Sequence, residues 1–110
     1  MAYDEGLAER VSEMLDDGDI RHQVKKMFGG ICYLINGNMA AGIIGDDLIV
    51  RVGPDGYKAA MARPHTRKFD FTGRAMKGWV VVGSEGLDED GPLKSWIDCG
   101  VGFAKSLPKK

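Results

Sequence analysis

Residues 22–53, HQVKKMFGGICYLINGNMAAGIIGDDLIVRVG, decide the fold. Asn36-Gly37 stands between two apolar runs, and these residue types tolerate the positive backbone angles that a type I′ hairpin turn requires. The flanking runs therefore pair as a hairpin. A second cluster of turn residues, Gly45-Asp46-Asp47, separates MAAGII from LIVRV. Three consecutive antiparallel strands follow, a meander that needs no crossover helix. Gly29-Gly30 reads as a bend or bulge joining a short leading strand, VKKMF, to this meander.

Helices are expected on both sides of these strands in the chain. Tyr3, Leu7, Val11, Met14 and Leu15 recur at helical spacing, with Asp4 and Glu5 suited to the N-terminal end and Gly18 just past the last turn. Gly53-Pro54 predicts a second, short helix with Pro at its first position, Tyr57, Ala60 and Met61 on one face, and an end near Arg63-Pro64. GWVVVG is β-branched and bounded by glycines, so it reads as a strand, with KFDF as its partner. After Asp90-Gly91-Pro92, the residues Leu93, Trp96, Ile97, Val101, Ala104 and Leu107 form the apolar stripe of a last helix. Gly100 and Gly102 weaken that helix, and close packing is the expected reason for both. The order α, three or four β, α, two β, α predicts a single two-layer α+β domain spanning residues 1–110, an antiparallel sheet with flanking helices.

The meander is apolar on both faces, since Ile31, Tyr33 and Ile35 point one way while Cys32 and Leu34 point the other. One face lies under helices. The second predicts another helix or a partner subunit, and a symmetric homodimer is the commonest form of the latter.

With 110 residues and 44% hydrophobic content, the chain fills one core and not two. The lack of a long apolar run and the acidic start, MAYDEGLAERV, predict a soluble cytoplasmic protein with no membrane partner. Cys32 and Cys99 have no metal or redox spacing, which predicts reduced, buried thiols, no metal and no cofactor.

Charge is distributed unevenly although the net value is only -1. Residues 1–20 hold seven acids and one base, whereas residues 63–77 hold five bases and Asp70. This basic strip supplies the candidate anion or partner contacts Arg63, His65, Arg67, Lys68, Arg74 and Lys77, and Arg51 joins them from the neighbouring strand. Arg51 interrupts LIVRV, so it requires solvent or an acceptor such as Asp47, Asp70 or a ligand anion. The bland reading of the strip is a solvated connection, because charged residues concentrate on surfaces without any partner. Against that, Gly73 and Gly78 permit close backbone approach, and Phe69 and Phe71 are placed to anchor the loop. His65 lacks an adjacent nucleophile or carboxylate dyad, so no catalytic residue is assigned. The glycines of GGICYLINGNMAAG fit neither nucleotide-phosphate pattern, and the acidic groups Asp16 to Asp19 and Glu85 to Asp90 lack calcium-loop spacing. Trp79 and Trp96 are expected in packing.

Taken together, AYDEGLAERV, KKMFGGICYLINGNMAAGI, LIVRVGP, RPHTRKFDFTGRAMKGWVVV and FAKSLP resemble the N-terminal domain of the TfoX/Sxy family over nearly the whole chain. The stretches KKMFGG, RVGP and DFTGRAMKGW are the specific ones. The resemblance implies a small α+β domain similar to the secretion-chaperone-like fold. It also implies a relation to regulators of natural competence, which act with a cyclic-AMP-dependent transcription activator and carry a second, C-terminal domain. This sequence ends after SLPKK, so a stand-alone version is expected. Arg51, Phe71, Gly73, Arg74, Lys77, Gly78 and Trp79 match the family pattern, which supplies no catalytic residues. The reading is a non-enzymatic regulatory or adaptor domain that meets an acidic protein or a nucleic acid through the basic loop, with a protein of the transcription machinery among the candidate partners. The alternative is a small-molecule or anion-binding domain, or an enzyme, that uses the same loop.

Overall fold

The computed structural model describes residues 3–27, 29–69 and 78–108. Helix α1 (Glu5–Asp17) comes first, followed by strands β1 (Gln23–Met27), β2 (Gly30–Ile35), β3 (Asn38–Ile44) and β4 (Asp47–Arg51). Then come a short helix α2 (Tyr57–Met61), strands β5 (Thr66–Lys68) and β6 (Trp79–Val82), a 3₁₀ turn (Ser84–Leu87) and helix α3 (Asp90–Ser106). The strands form one six-stranded antiparallel sheet in the order β1-β2-β3-β4-β6-β5. This is the α+β architecture and element order that the sequence predicts.

The local reasons are legible. Asn36 and Gly37 take φ values of 54° and 82°, so the β2–β3 turn has the positive angles its residues were read to allow. Gly45 does the same at φ 60° between β3 and β4. Asp4 caps α1 by accepting a hydrogen bond from the Leu7 amide at 3.1 Å, satisfying one of the orphan donors of the first turn. Gly18 stands at the other end, and the Ile20 amide then closes on the Leu15 carbonyl at 2.9 Å.

Of the two readings of Gly29-Gly30 the bend holds: β1 folds back on β2 with Met27 opposite Gly30, so this is a further hairpin connection. The bulge lies inside the meander, where Tyr33 pairs with Ala41 but Leu34 pairs with Met39, leaving Ala40 unopposed. Pro54 belongs to a turn, and α2 begins only after Gly56, whose missing Cβ would sit 2.8 Å from the Val52 carbonyl oxygen. The partner of β6 is Thr66–Lys68, which begins two residues before KFDF and shares Lys68 with it. Asp70 and Phe71 of that segment lie outside the described residues.

Helices α1 and α3 cover one face of the sheet. Leu7, Val11 and Leu15 of α1 and Leu93, Trp96, Ile97, Val101 and Ala104 of α3 join Ile31, Tyr33, Ile35, Ile43, Leu48, Val50, Val80 and Val82 in a single core. Each large aliphatic side chain removed from water in this way is worth about 1.5–3 kcal/mol. Tyr33 is buried among them and donates its phenolic hydrogen to the Ala8 carbonyl at 3.0 Å, fixing α1 on the sheet. Gly100 lets α3 lie directly on β3, since a Cβ there would meet the Ala40 carbonyl oxygen at 2.4 Å. Gly102 is different. A Cβ at that position meets nothing within 4 Å, so close packing explains one glycine and not the other.

On the opposite face, Cys32, Leu34, Ile49 and Val81 are between 3% and 8% exposed. Burial at these positions is therefore present within a single chain. No helix of the described residues is long and apolar enough to cross a membrane.

Candidate functional site

The chain leaves β4, passes through α2 to β5 at the edge of the sheet, and returns to β6 beside β4. This path brings the described part of the basic strip onto an edge. After α2, the Thr66 hydroxyl donates to the Arg63 carbonyl at 2.7 Å, closing the turn. His65 then adopts φ 65° while its carbonyl accepts the Gly83 amide at 2.8 Å, which docks the turn on the end of β6. Only Asn, Asp, His and Gly enter this backbone region with any frequency, so His65 suits the turn itself.

Each candidate side chain has a definite setting. Arg67 stands opposite Val81 on the face away from the helices, and its guanidinium donates to the Asp47 carboxylate. Asp47, one of the acceptors considered for Arg51, thus pairs with Arg67. Arg51 packs against rings, its guanidinium carbon 5.1 Å from the centre of Trp79 and 5.5 Å from that of Phe103. Its charge is thus set against two aromatic rings, a cation–π contact that the sequence reading did not include among the partners of Arg51. Asp70, the other proposed acceptor, lies outside the described residues. Phe69 leans on Trp79 at 6.1 Å between ring centres, so the aromatic anchor at the start of the loop is present. Trp79 is half-buried on the sheet's outer face, whereas Trp96 is in the core.

Arg63 lies over Trp96 with its guanidinium carbon 3.6 Å from the ring centre. His65 Nδ1 is 3.7 Å from the Glu85 carboxylate, both groups being solvent-accessible. Lys68 is exposed and makes no ion pair among the described residues. Arg74 and Lys77 lie outside the described residues.

Between the α2–β5 turn, the 3₁₀ turn and the start of α3 is a cavity of about 410 Å³, whose walls include Arg63, His65, Glu85, Asp88, Glu89 and Trp96. Sequence reading missed the acids of this wall, because Glu85 to Asp90 is remote from the strip along the chain and reads as solvated charge. Its aromatic floor is already capped by Arg63. The wall offers carboxylates, a guanidinium and an imidazole, but no hydroxyl or thiol nucleophile. Such a set offers ionic and hydrogen-bonded contacts.

The thiols sit elsewhere; Cys32 is buried as expected, whereas Cys99 is exposed and corrects the expectation that both are buried. Burial pushes the Cys32 thiol above its ordinary value. The Cys99 thiol is raised too, by desolvation against its neighbours, with the Arg63 charge acting in the opposite direction. Both are held in the less nucleophilic protonated form. Among the described residues no group of three or more His, Cys, Asp or Glu is arranged to hold a metal ion.

Against this geometry the family comparison can be placed. The model of the TfoX N-terminal domain matches residues 18–104. The chain belongs to the TfoX N-terminal domain family. The matched span runs from the end of α1 to the last turn of α3 and takes in the whole sheet, including the three glycine-supported hairpins and the basic strip. Membership in the TfoX N-terminal domain family suggests a competence-regulator-like domain. No curated protein and no solved structure matches the chain.

Proposed function

We propose that this TfoX N-terminal domain is a non-enzymatic regulatory adaptor that meets an acidic partner protein through the basic strip. The observation that carries the reading is the position of β5, an edge strand on which Arg67 and Lys68 stand exposed. The described bases alternate with acids, Arg67 with Asp47 and His65 with Glu85. That mixture dilutes the field a polyphosphate needs, since duplex DNA presents a charge about every 1.7 Å along its axis. A protein surface with its own mixture of charges is better matched.

The test compares the parent chain with a variant carrying Lys68→Ala, Arg74→Ala and Lys77→Ala, after circular dichroism has verified its fold. Captured material is identified with and without nuclease. An acidic protein retained by the parent after nuclease treatment and lost by the variant supports the reading. Equal capture by both chains sinks it. Saturable binding of labelled duplex whose affinity falls steeply between about 50 and 200 mM salt would move the assignment to nucleic acid.

The cavity beside His65 favours a second reading, a small-molecule or anion-binding domain. A thermal shift with an anionic metabolite that is lost in His65→Ala would select it.

A further inference from the structure

The edge opposite the basic strip has features that the reading above does not use. β1 is the other end strand of the sheet, so among the described residues one side of its backbone has no strand partner. Its inner side pairs with β2 over five consecutive positions, Gln23 with Leu34 through Met27 with Gly30, with no bulge. The outer row of amides and carbonyls is therefore regular. β5 by contrast has three residues and follows Pro64, two common ways of blunting an edge.

Side chains at this edge are available. Gln23, Val24, Lys25 and Lys26 are all exposed, and Val24, at 47%, is the exposed large aliphatic among the described residues. The segment Ile20 to Met27 carries Arg21, Lys25 and Lys26 and no acid. None of these three cations makes an ion pair among the described residues. Alternation sends Val24 and Lys26 to the helix side of the sheet and Lys25 to the other side, so positive charge borders both faces of the edge.

We propose that the free edge of β1 takes an extended acidic segment of a partner protein, which adds to the sheet as a further strand. Backbone hydrogen bonds supply the general attraction in such strand addition, and alternate side chains supply the selectivity. A second copy of this chain is the poorer occupant. Two-fold antiparallel pairing centred on Lys25 would set that lysine opposite its own copy and Val24 opposite Lys26, and like charges in cross-strand positions destabilise a pair. A strand bearing Glu or Asp opposite Lys25 meets opposite charge instead, and the apolar residues that alternate with this acid lie beside Val24 and the stem of Lys26.

The probe is a seven-residue capped peptide alternating Glu and Val, with a Lys/Val peptide and a Glu/Gly peptide as controls. Binding is followed through the backbone amide NMR signals of the full chain. The expected result is saturable shifts centred on residues 21–27 with slowed amide exchange in β1, seen with the Glu/Val peptide only. Lys25→Glu/Lys26→Glu should weaken that peptide by about tenfold or more and admit the Lys/Val peptide instead. Lys26→Pro, which removes an amide that points away from β2, should abolish binding if the variant folds. If it is unfolded, the charge-reversal pair alone decides. The proposal is overturned by shifts centred elsewhere, by no shift, by equal binding of the Glu/Gly peptide, or by loss of β1 exchange only on self-association.

Discussion

The Arg63 guanidinium carbon lies 3.6 Å from the centre of the Trp96 ring, and Trp96 itself is 2% exposed. A side chain that the sequence offers as a partner contact is thus also the lid on a core tryptophan. The two roles can be separated by measurement. Arg63→Ala should lower unfolding free energy by about 1–2 kcal/mol, because a desolvated cation–π contact and the packing of the arginine stem are both lost. Arg63→Lys should recover only part, since an ammonium lacks the planar stacking surface. Urea denaturation reads both. An unchanged midpoint in Arg63→Ala would free this residue entirely for partner contact.

Gly100 and Gly102 provide a paired test on one helix. Gly100→Ala should destabilise by about 1–3 kcal/mol, since its Cβ would fall within 2.4 Å of the Ala40 carbonyl oxygen and force α3 off β3. Gly102→Ala has open space and should raise stability by about 0.5–1 kcal/mol through helix propensity alone. Thermal melts with opposite signs are expected. The same sign in both would mean that α3 does not sit on β3 as described.

Stability should fall on the alkaline side. The Tyr33 hydroxyl is raised above its ordinary value of 10.0, first by burial, with a hydrogen bond from Ser12 opposing and the Tyr3 charge adding. Cys32 and Cys99 are raised above 9.0 by burial. For an acid raised by folding, the unfolded chain loses its proton first. The contribution is therefore fully present below the ordinary value and is lost as pH rises through the folded one. Melting temperature should hold with respect to these groups up to about pH 8.5, then decline, first with the thiols and then with the phenol. Cys32→Ala should remove part of the earlier decline. Tyr33→Phe should remove the later one while costing about 1 kcal/mol at neutral pH through the lost bond to Ala8.

Arg67 and Asp47 form an ion pair with side chains 58% and 31% exposed. Such pairs contribute less than about 1 kcal/mol, and salt screens them. Arg67→Ala should therefore leave the fold intact, with a midpoint change that shrinks further at high salt. That makes it a clean probe of partner binding at β5. A large loss of stability would instead assign Arg67 a structural role.

What the sequence determined by itself was local. Asn36-Gly37 and Gly45 need positive φ wherever they fall in a tight turn, so the meander follows from residue type. The stripes of α1 and α3 follow from periodicity in the same way. The β-branched run Val80–Val82 suits an inner strand and the preceding charged segment suits its edge partner, but nothing in either names β4 as the neighbour on the other side. Only the tertiary structure placed β6 between β4 and β5, because burial of a strand is decided by contacts distant in sequence. The same holds for single residues. Arg51 meets Trp79 and Phe103, which come from a different strand and from α3, and Asp47 meets Arg67. Gly100 and Gly102 are alike in sequence. One faces the Ala40 carbonyl and the other faces open space, a difference set by which side of α3 rests on the sheet.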